Sequence, residues 1–212
     1  MNKKHLNFLR KLYSKNFSEE VLDKYSKSME KKIKSLSKDS KENLDLILIL
    51  KRLKGKEEEY NLIRNIYLER AMKYGQGGQL KYLHPFHYFS NKYMFAKTLK
   101  LSSSKNLNIL DIGTGAGHFL AIANHYGHNT IGLDIEYKEE DGAAHIYDAL
   151  TKFYGVKKIY GRINNEDGSL PEIDIEKQDL ITGFMIFFNK YDNGKPWNID
   201  TWKVFLKNIS KF

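Results

Sequence analysis

Residues 107–119 read Leu-Asn-Ile-Leu-Asp-Ile-Gly-Thr-Gly-Ala-Gly-His-Phe. The first six form a short, mostly apolar run, which predicts a buried strand. Three glycines at alternate positions follow, and residues 117–126 have helical periodicity, with Gly127 placed to end the helix in a left-handed conformation. A second apolar run over residues 130–133 ends at Asp134. The order of strand, glycine turn, helix, strand and acid predicts half of an α/β fold of the kind that binds nucleotides.

The spacing of the three glycines distinguishes two kinds of ligand site. A dinucleotide site has the pattern Gly-x-Gly-x-x-Gly, with a phosphate at the helix N-terminus. Here the third glycine, Gly117, comes one residue early, and His118 occupies the dinucleotide position. Asp111 precedes the first glycine by two residues. The alternative is a glycine turn in another kind of α/β protein, which the joint register of Asp111 and Asp134 disfavours.

The pattern Asp-x-Gly-x-Gly-x-Gly closely resembles motif I of the class I S-adenosylmethionine-dependent methyltransferases. The resemblance implies that S-adenosyl-L-methionine is the cofactor and that the glycines let the backbone approach its methionine part. It also implies that Asp134 holds both ribose hydroxyls, a role that suits a carboxylate because it accepts two hydrogen bonds at once. The cofactor-binding residues that it implies are Asp111, Gly113, Thr114, Gly115, Ala116, Gly117, Asp134 and Ile135.

The resemblance covers roughly residues 105–212, where residues 179–206 look like motif IV and the helix after it. The family sheet normally has seven strands, whereas the sequence predicts four. We therefore expect an α/β fold with a Rossmann-like parallel sheet, an incomplete class I methyltransferase core, preceded by an α-helical N-terminal subdomain. Residues 179–188 would leave an apolar strand at the sheet edge, and such edges are usually covered. The expected candidates for covering it are the N-terminal helices, a second copy of the chain in a homodimer, or a further C-terminal segment.

Three regions are predicted along the chain. Residues 1–75 form a helical N-terminal subdomain, residues 76–104 a hinge and a lid or linker helix, and residues 105–212 the Rossmann-like S-adenosylmethionine-binding domain. The glycine-rich residues 75–78 are the predicted hinge. In the methyltransferase family the segment before motif I often covers the cofactor, so we expect residues 82–89 to act as a lid, with His84 and His87 facing the site. The alternative is an aromatic helix packed on the sheet, with incidental histidines.

Apolar patterning and turn residues predict the remaining elements. Four N-terminal helices are expected near residues 3–15, 18–36, 39–53 and 57–74, and a further helix from Pro85 to about Lys100. After Asp134 we expect a helix over 139–154, a strand over 158–163, a loop over 164–168 near the adenine, a strand over 179–188 and a helix over 199–210.

Composition excludes several classes of protein and bounds the partners. The chain has 212 residues, no cysteine and a net charge of +9, so disulfides and thiolate chemistry are excluded. No apolar run reaches 18 residues and no signal peptide is recognised, so we expect a cytoplasmic protein without a membrane span. Residues 1–100 carry 23 Lys and Arg against 11 Asp and Glu, giving +12, and residues 101–212 carry 12 against 15, giving −3. The basic half indicates either a solvated helical surface or an anionic partner. We expect no metal.

The resemblance implies methyl transfer, in which the cofactor supplies the chemistry and the protein supplies alignment. Enzymes that methylate DNA amino groups carry an Asp/Asn/Ser-Pro-Pro-Tyr/Phe motif after the fourth strand, but residues 187–190 here read Phe-Phe-Asn-Lys. We therefore expect an oxygen or nitrogen acceptor on a small molecule, sugar or lipid intermediate, with no catalytic base identified. The acceptor-side candidates are His84, His87 and Asn189. The alternatives are an inactive cofactor- or partner-binding module of this fold, and an RNA-directed methyltransferase that uses the basic half.

Overall fold

The computed structural model describes residues 52–76, 78–184, 186 and 196–212, together with residues 27, 48 and 49. The three helices predicted before residue 54 lie almost wholly outside the described residues. The end of the predicted strand over 179–188 and the acceptor-side candidate Asn189 also lie outside them.

Within the described residues the sheet has four strands, all parallel. They are β1 (Asn108–Ile112), β2 (Asn129–Asp134), β3 (Lys158–Tyr160) and β4 (Leu180–Thr182), in the spatial order β3-β2-β1-β4. The register places Asp111 of β1 beside Gly132 of β2 and Thr182 of β4. Parallel strands need crossover connections, which helices supply here. The predicted α/β class and the parallel sheet are confirmed.

Five α-helices and three 3-10 segments complete the described part of the chain. The α-helices are α1 (Glu57–Tyr74), α2 (Pro85–Thr98), α3 (His118–His125), α4 (Ile146–Phe153) and α5 (Ile199–Ile209). The 3-10 segments are Gly78–Leu83, Leu101–Ser103 and Glu139–His145.

The alternation of side chains along β1 divides the core into two layers. Ile109 packs with the apolar residues of α1 to α4, whereas Leu110 and Ile112 pack with Trp197 and Phe205 at α5. Both faces of the sheet are therefore covered, as is usual for parallel sheets. Asp111 lies on the same side of the strand as Ile109, and its side chain is buried there.

Two tyrosines hold helix α1 against the 3-10 segments Gly78–Leu83 and Glu139–His145. Three glutamates in its first turn complement the helix dipole, and Gly75 ends it in the left-handed conformation with φ of 65°. Tyr60 Oη donates a hydrogen bond to Leu83 O over 2.7 Å, and Tyr67 Oη donates to His145 O over 3.1 Å. The helical segment 57–74 is thus held against the residues that precede and follow the central turn.

Three of the predicted elements differ in the structure. The strand predicted over 179–188 is limited to Leu180–Thr182, and the described residues 183, 184 and 186 are not part of a strand. The predicted helix over 139–154 is broken at Gly142, whose φ of 63° and ψ of −118° are not helical. The break lets Ala143 N donate to Gln76 Oε1 over 2.8 Å, a long-range contact. The predicted strand over 158–163 ends at Tyr160 in the structure. Gly161 N still donates to Asp134 O over 2.9 Å, and Gly161 lies so close to Pro171 that a β-carbon there would be 2.5 Å from Pro171 Cγ.

The helices described for residues 52–76, 78–184 and 196–212 include none that has both the length and the apolar character needed to cross a bilayer.

Candidate functional site

A cavity of about 290 Å³ lies at the carboxyl ends of β1 and β2, against the glycine turn. In open parallel sheets the crevice outside the carboxyl ends of the strands is where ligands bind. The turn residues Gly113, Thr114, Gly115 and Ala116 form one wall of the cavity, and Asp134 and Ile135 continue it. The cavity volume is just below the range of about 300–1,000 Å³ that is typical of small-molecule sites.

The three glycines of the turn all have left-handed backbone conformations, with φ of 67° at Gly113, 56° at Gly115 and 77° at Gly117. Side chains at two of these positions would also meet neighbours. A β-carbon at Gly113 would lie 2.8 Å from Ile186 Cδ1, and one at Gly117 would lie 2.9 Å from Thr151 Cγ2. A β-carbon at Gly115 would meet nothing within 4 Å. Gly115 therefore leaves open space on the cavity side of the turn.

A hydrogen bond joins the turn to the acid at the end of β2. Gly115 N donates to Asp134 Oδ2 over 2.7 Å, and Ile135 N donates to Asp134 Oδ1 over 2.9 Å. Each carboxylate oxygen has room for a second hydrogen bond. Asp134 lines the cavity, so a ligand with two neighbouring hydroxyls could use that capacity.

A buried lysine lies next to Asp134. Lys158 Nζ is 2.6 Å from Asp148 Oδ1 and 3.8 Å from Asp134 Oδ2, with its side chain 5% exposed. Burial raises the pKa of Asp134, and the charge of Lys158 together with the two backbone N–H groups opposes that rise. The site thus combines a desolvated acid with the contacts that favour its ionised form.

Asp111 lies beneath the turn and does not line the cavity. Thr182 Oγ1 donates to Asp111 Oδ1 over 2.8 Å. Burial raises the pKa of Asp111 to about 6, although the contact with Thr182 and the charge of Lys92 act in the opposite direction. Its carboxylate therefore connects β1 to β4 under the glycine turn.

Four tyrosines from different elements form an aromatic wall of the cavity. Tyr82 contacts Tyr88, with ring centroids 4.4 Å apart, and Tyr147, with centroids 5.0 Å apart. Tyr137 contacts Tyr147 at 5.1 Å. The Gly78–Leu83 segment, α2, the loop after β2 and α4 therefore meet at one surface, which is suited to the apolar faces of a ligand.

The loop after β3 forms another wall of the cavity. Arg162, Ile163 and Asn165 line the cavity together with Trp197. Trp197 Nε1 donates to Asn165 O over 2.8 Å, which fixes the loop to the residues before α5. The loop predicted to lie near the adenine is thus at the cavity through Asn165, at the end nearest β3.

The structure brings together most of the predicted cofactor-binding residues. Six of the eight line the cavity: Gly113, Thr114, Gly115, Ala116, Asp134 and Ile135. Asp111 lies under the turn, and Gly117 is the N-cap residue immediately before α3. Among the acceptor-side candidates, His84 is partly buried and is not one of the cavity-lining residues, and only the backbone of His87 is described.

The sequence predicted no functional role for several of the residues that line the cavity. Lys92 lies one helical turn after Tyr88 on α2. This spacing places both side chains on one face of a helix next to the glycine turn, which is the sequence feature that could have identified Lys92. His118, which in the sequence only marks the departure from the dinucleotide spacing, also lines the cavity. Tyr147, Phe184 and Trp197 carried no local signal, because their place at the cavity depends on the packing of distant segments.

Within the described residues no group of three His, Asp or Glu side chains is arranged to hold a metal ion. Comparisons with protein-family models, with curated proteins and with solved structures found no match to this chain.

Proposed function

We propose that the chain is an S-adenosylmethionine-dependent methyltransferase with a Rossmann-like fold. The turn Gly113–Gly117 and Asp134 bind the cofactor. The acceptor is an oxygen or nitrogen of a small molecule, a sugar or a lipid intermediate. Bound cofactor would supply an activated methyl group, and the chain would bind it, orient it and exclude water around it.

The observation that carries this proposal is the hydrogen bond between Gly115 N and Asp134 Oδ2, at 2.7 Å on a cavity wall. It fixes the acid beside the turn, where a ribose above Asp134 would place the rest of the cofactor along the glycines. Gly115 has no neighbour within 4 Å on its β-carbon side, so the backbone is open to close approach there.

The order of the strands also supports the proposal. The order β3-β2-β1-β4 corresponds to the first four positions of the doubly wound nucleotide-binding sheet. The cavity lies at the carboxyl end of β1, between the glycine turn that follows β1 and the acid that ends β2. Both features would be expected of a nucleotide-containing ligand.

The walls of the cavity favour an organic acceptor of modest size. The aromatic wall and the residues Phe184, Ile186 and Trp197 provide apolar surface, next to the polar side chains of Lys92, Asp134, Arg162 and Asn165. Apolar walls with a small number of placed polar groups are typical of small-molecule sites.

Calorimetry with S-adenosylmethionine, S-adenosylhomocysteine and NAD tests the proposal. We expect the two adenosyl compounds to bind and NAD not to bind. Asp134→Ala should weaken adenosyl binding by roughly 2–4 kcal/mol, because a charged acceptor of two hydrogen bonds is lost. Asp174→Ala, which removes an exposed carboxylate away from the cavity, is the matched control. Binding of NAD in place of the adenosyl compounds would contradict the assignment.

A further inference from the structure

A second cavity, which we call the amino-end cavity, lies where the strands of the sheet begin. Its volume is about 600 Å³, within the range of about 300–1,000 Å³ that is typical of small-molecule sites. Asn108 and Asn129, which begin β1 and β2, line it together with Lys157, the residue before β3. Along β2 the distance from Asn129 to Asp134 is about 16 Å, at about 3.3 Å per residue. The amino-end cavity is therefore separate from the site at the glycine turn.

Two asparagine side chains of the amino-end cavity are each oriented by a hydrogen bond. Asn124 Oδ1 accepts from Thr130 Oγ1 over 2.7 Å, which leaves its Nδ2 as a donor. Asn129 Nδ2 donates to Asn108 Oδ1 over 3.1 Å, which leaves its Oδ1 as an acceptor. Among the described residues, neither Asn124 Nδ2 nor Asn129 Oδ1 has a hydrogen-bond partner. The cavity therefore offers one oriented donor and one oriented acceptor.

Other side chains give the amino-end cavity wall surface without polar contacts for a ligand. Ile131 and Ile175 line it and are partly buried in the apolar layer beneath the sheet. His128 is 5% exposed, and both of its ring nitrogens are already bonded. Leu107 N donates to His128 Nδ1 over 3.2 Å, and His128 Nε2 donates to Leu101 O over 2.9 Å. The imidazole is therefore part of the wall, and the two isoleucines provide apolar surface.

Charged side chains of both signs also line the amino-end cavity. Lys157 lies before β3, and Asp174 and Glu176 lie in the segment before β4, all three exposed. One lysine and two acids give a formal charge of −1, which disfavours a ligand that carries a phosphate. An uncharged ligand with hydroxyl groups can instead donate to the carboxylates and accept from the ammonium.

We propose that the amino-end cavity binds an uncharged, hydroxyl-rich ring molecule of the class of the mono- and disaccharides. A hydroxyl group both donates and accepts hydrogen bonds, so neighbouring hydroxyls can use the Asn124 donor and the Asn129 acceptor. The C–H face of such a ring matches the surface of Ile131 and Ile175. Because Asp134 is about 16 Å away along β2, a sugar bound here is recognised without being the methyl acceptor. This binding does not depend on the proposed cofactor.

Saturation-transfer NMR on the 212-residue chain tests the proposal with D-glucose, D-galactose and N-acetyl-D-glucosamine as probes. We expect at least one of these sugars to bind with a dissociation constant of about 1 mM, as a few neutral hydrogen bonds would give. Tetrahydropyran-2-methanol, a ring of the same size with a single hydroxyl, should bind at least about tenfold more weakly. The 6-phosphate of the sugar that binds should also bind more weakly, because the lining charges are net negative.

Two variants remove the oriented asparagines. Asn129→Ala removes the acceptor at an exposed position. Asn124→Leu combined with Thr130→Val removes both partners of one hydrogen bond, so that neither is left unpaired. Each variant should bind the sugar about fivefold more weakly or worse. Asn65→Ala changes an exposed asparagine of α1 that does not line the cavity, so this matched control should bind the sugar as the wild type does.

Asp134→Ala shows which cavity holds the sugar, and it should leave sugar binding unchanged. Loss of sugar binding in Asp134→Ala would place the sugar at the glycine turn and overturn the proposal. No binding of any of the three sugars at about ten times the expected dissociation constant would overturn it too. Equal binding by the wild type and the asparagine variants, or tighter binding of the 6-phosphate, would also overturn it. Urea unfolding checks that the variants are folded, and Asn129→Ala alone decides the result if the double variant is not.

Discussion

Lys158 Nζ lies 3.8 Å from Asp134 Oδ2, so a buried ammonium stands behind the acid that ends β2. The charge of Lys158 is the largest of the influences that lower the pKa of Asp134, against the rise caused by burial. The groups that face Asp134 also include Asp148, which raises its pKa, and the N–H groups of Gly115 and Ile135, which lower it. Lys158 thus favours the ionised carboxylate that ribose hydroxyls would need.

The first prediction concerns Lys158→Met. Loss of the ammonium raises the pKa of Asp134 further, so protonation begins at a higher pH. Because the ionised form is the one that accepts two hydroxyls, affinity for S-adenosylhomocysteine should fall with decreasing pH in both proteins, and at a higher pH in the variant. Lys158→Arg should restore the wild-type profile. Calorimetry between pH 5 and 8 is the measurement, and parallel profiles of all three proteins would show that Lys158 does not act through Asp134.

The second prediction compares Gly115→Ala with Gly127→Ala. Both glycines have positive φ, 56° and 87°, and a β-carbon at either would meet nothing within 4 Å. Each variant should therefore lose a similar stability, about 1–2 kcal/mol for a left-handed L-residue. Only the Gly115 variant places a methyl group on the cavity wall, so it alone should lose affinity for S-adenosylhomocysteine. Equal affinities in the two variants would show that the turn does not contact the ligand.

The third prediction uses the buried acid Asp111, whose pKa is raised to about 6 from 3.8. A raised folded-state pKa means that the native state binds a proton more readily, so stability is lost as the pH rises from about 4 to about 6. Each pKa unit corresponds to about 1.4 kcal/mol, so this loss is roughly 3 kcal/mol. Asp111→Asn cannot ionise and should not show it.

Urea unfolding at pH 4 and pH 7 measures this effect. The stability of Asp111→Asn relative to the wild type should increase by roughly 3 kcal/mol between the two pH values. Asp174→Asn, which alters an exposed carboxylate, is the control and should show little change. A constant difference between Asp111→Asn and the wild type at both pH values would mean that Asp111 is ionised without cost in the folded protein.

The fourth prediction concerns the edge of the sheet at β4. Leu180–Thr182 pairs with β1 on one side, and no strand of the described residues pairs with its other side. Exposed strand edges tend to pair with other chains. We expect the 212-residue chain to form a homodimer, which light scattering at several concentrations would detect. A monomer at all concentrations would mean that residues of the same chain cover this edge.

The central part of the fold could be predicted because the residues that indicate it lie close together in the sequence. The run that forms β1, the alternate glycines and the acid that ends β2 lie within 28 residues, numbers 107–134. The prediction that Gly127 ends α3 in the left-handed conformation is confirmed by its φ of 87°. Gly75 ends α1 as well, at the residue where the glycine-rich segment begins.

Local sequence patterns could not predict the features that depend on packing between segments distant in the sequence. The pattern over residues 139–154 predicts a helix through Gly142, since one glycine costs a helix only about 1 kcal/mol. The contact between Gln76 and Ala143, 67 residues apart, accompanies the break. The place of His118 in the cavity depends similarly on α2 packing against α3, through the contact with Phe89. The predicted lid role of His84 and His87 stays a prediction, and slower amide exchange of residues 80–90 on ligand binding would support it.

A crystal structure with S-adenosylhomocysteine tests the proposed site most directly. We expect the ligand in the cavity beside Gly113–Gly117, with both ribose hydroxyls about 2.6–3.0 Å from the Asp134 carboxylate oxygens, a normal hydrogen-bond range. The adenine should lie between Ile135 and the loop that carries Asn165. A ligand bound elsewhere, or a ribose that does not contact Asp134, would contradict the assignment of this turn and acid as the cofactor site.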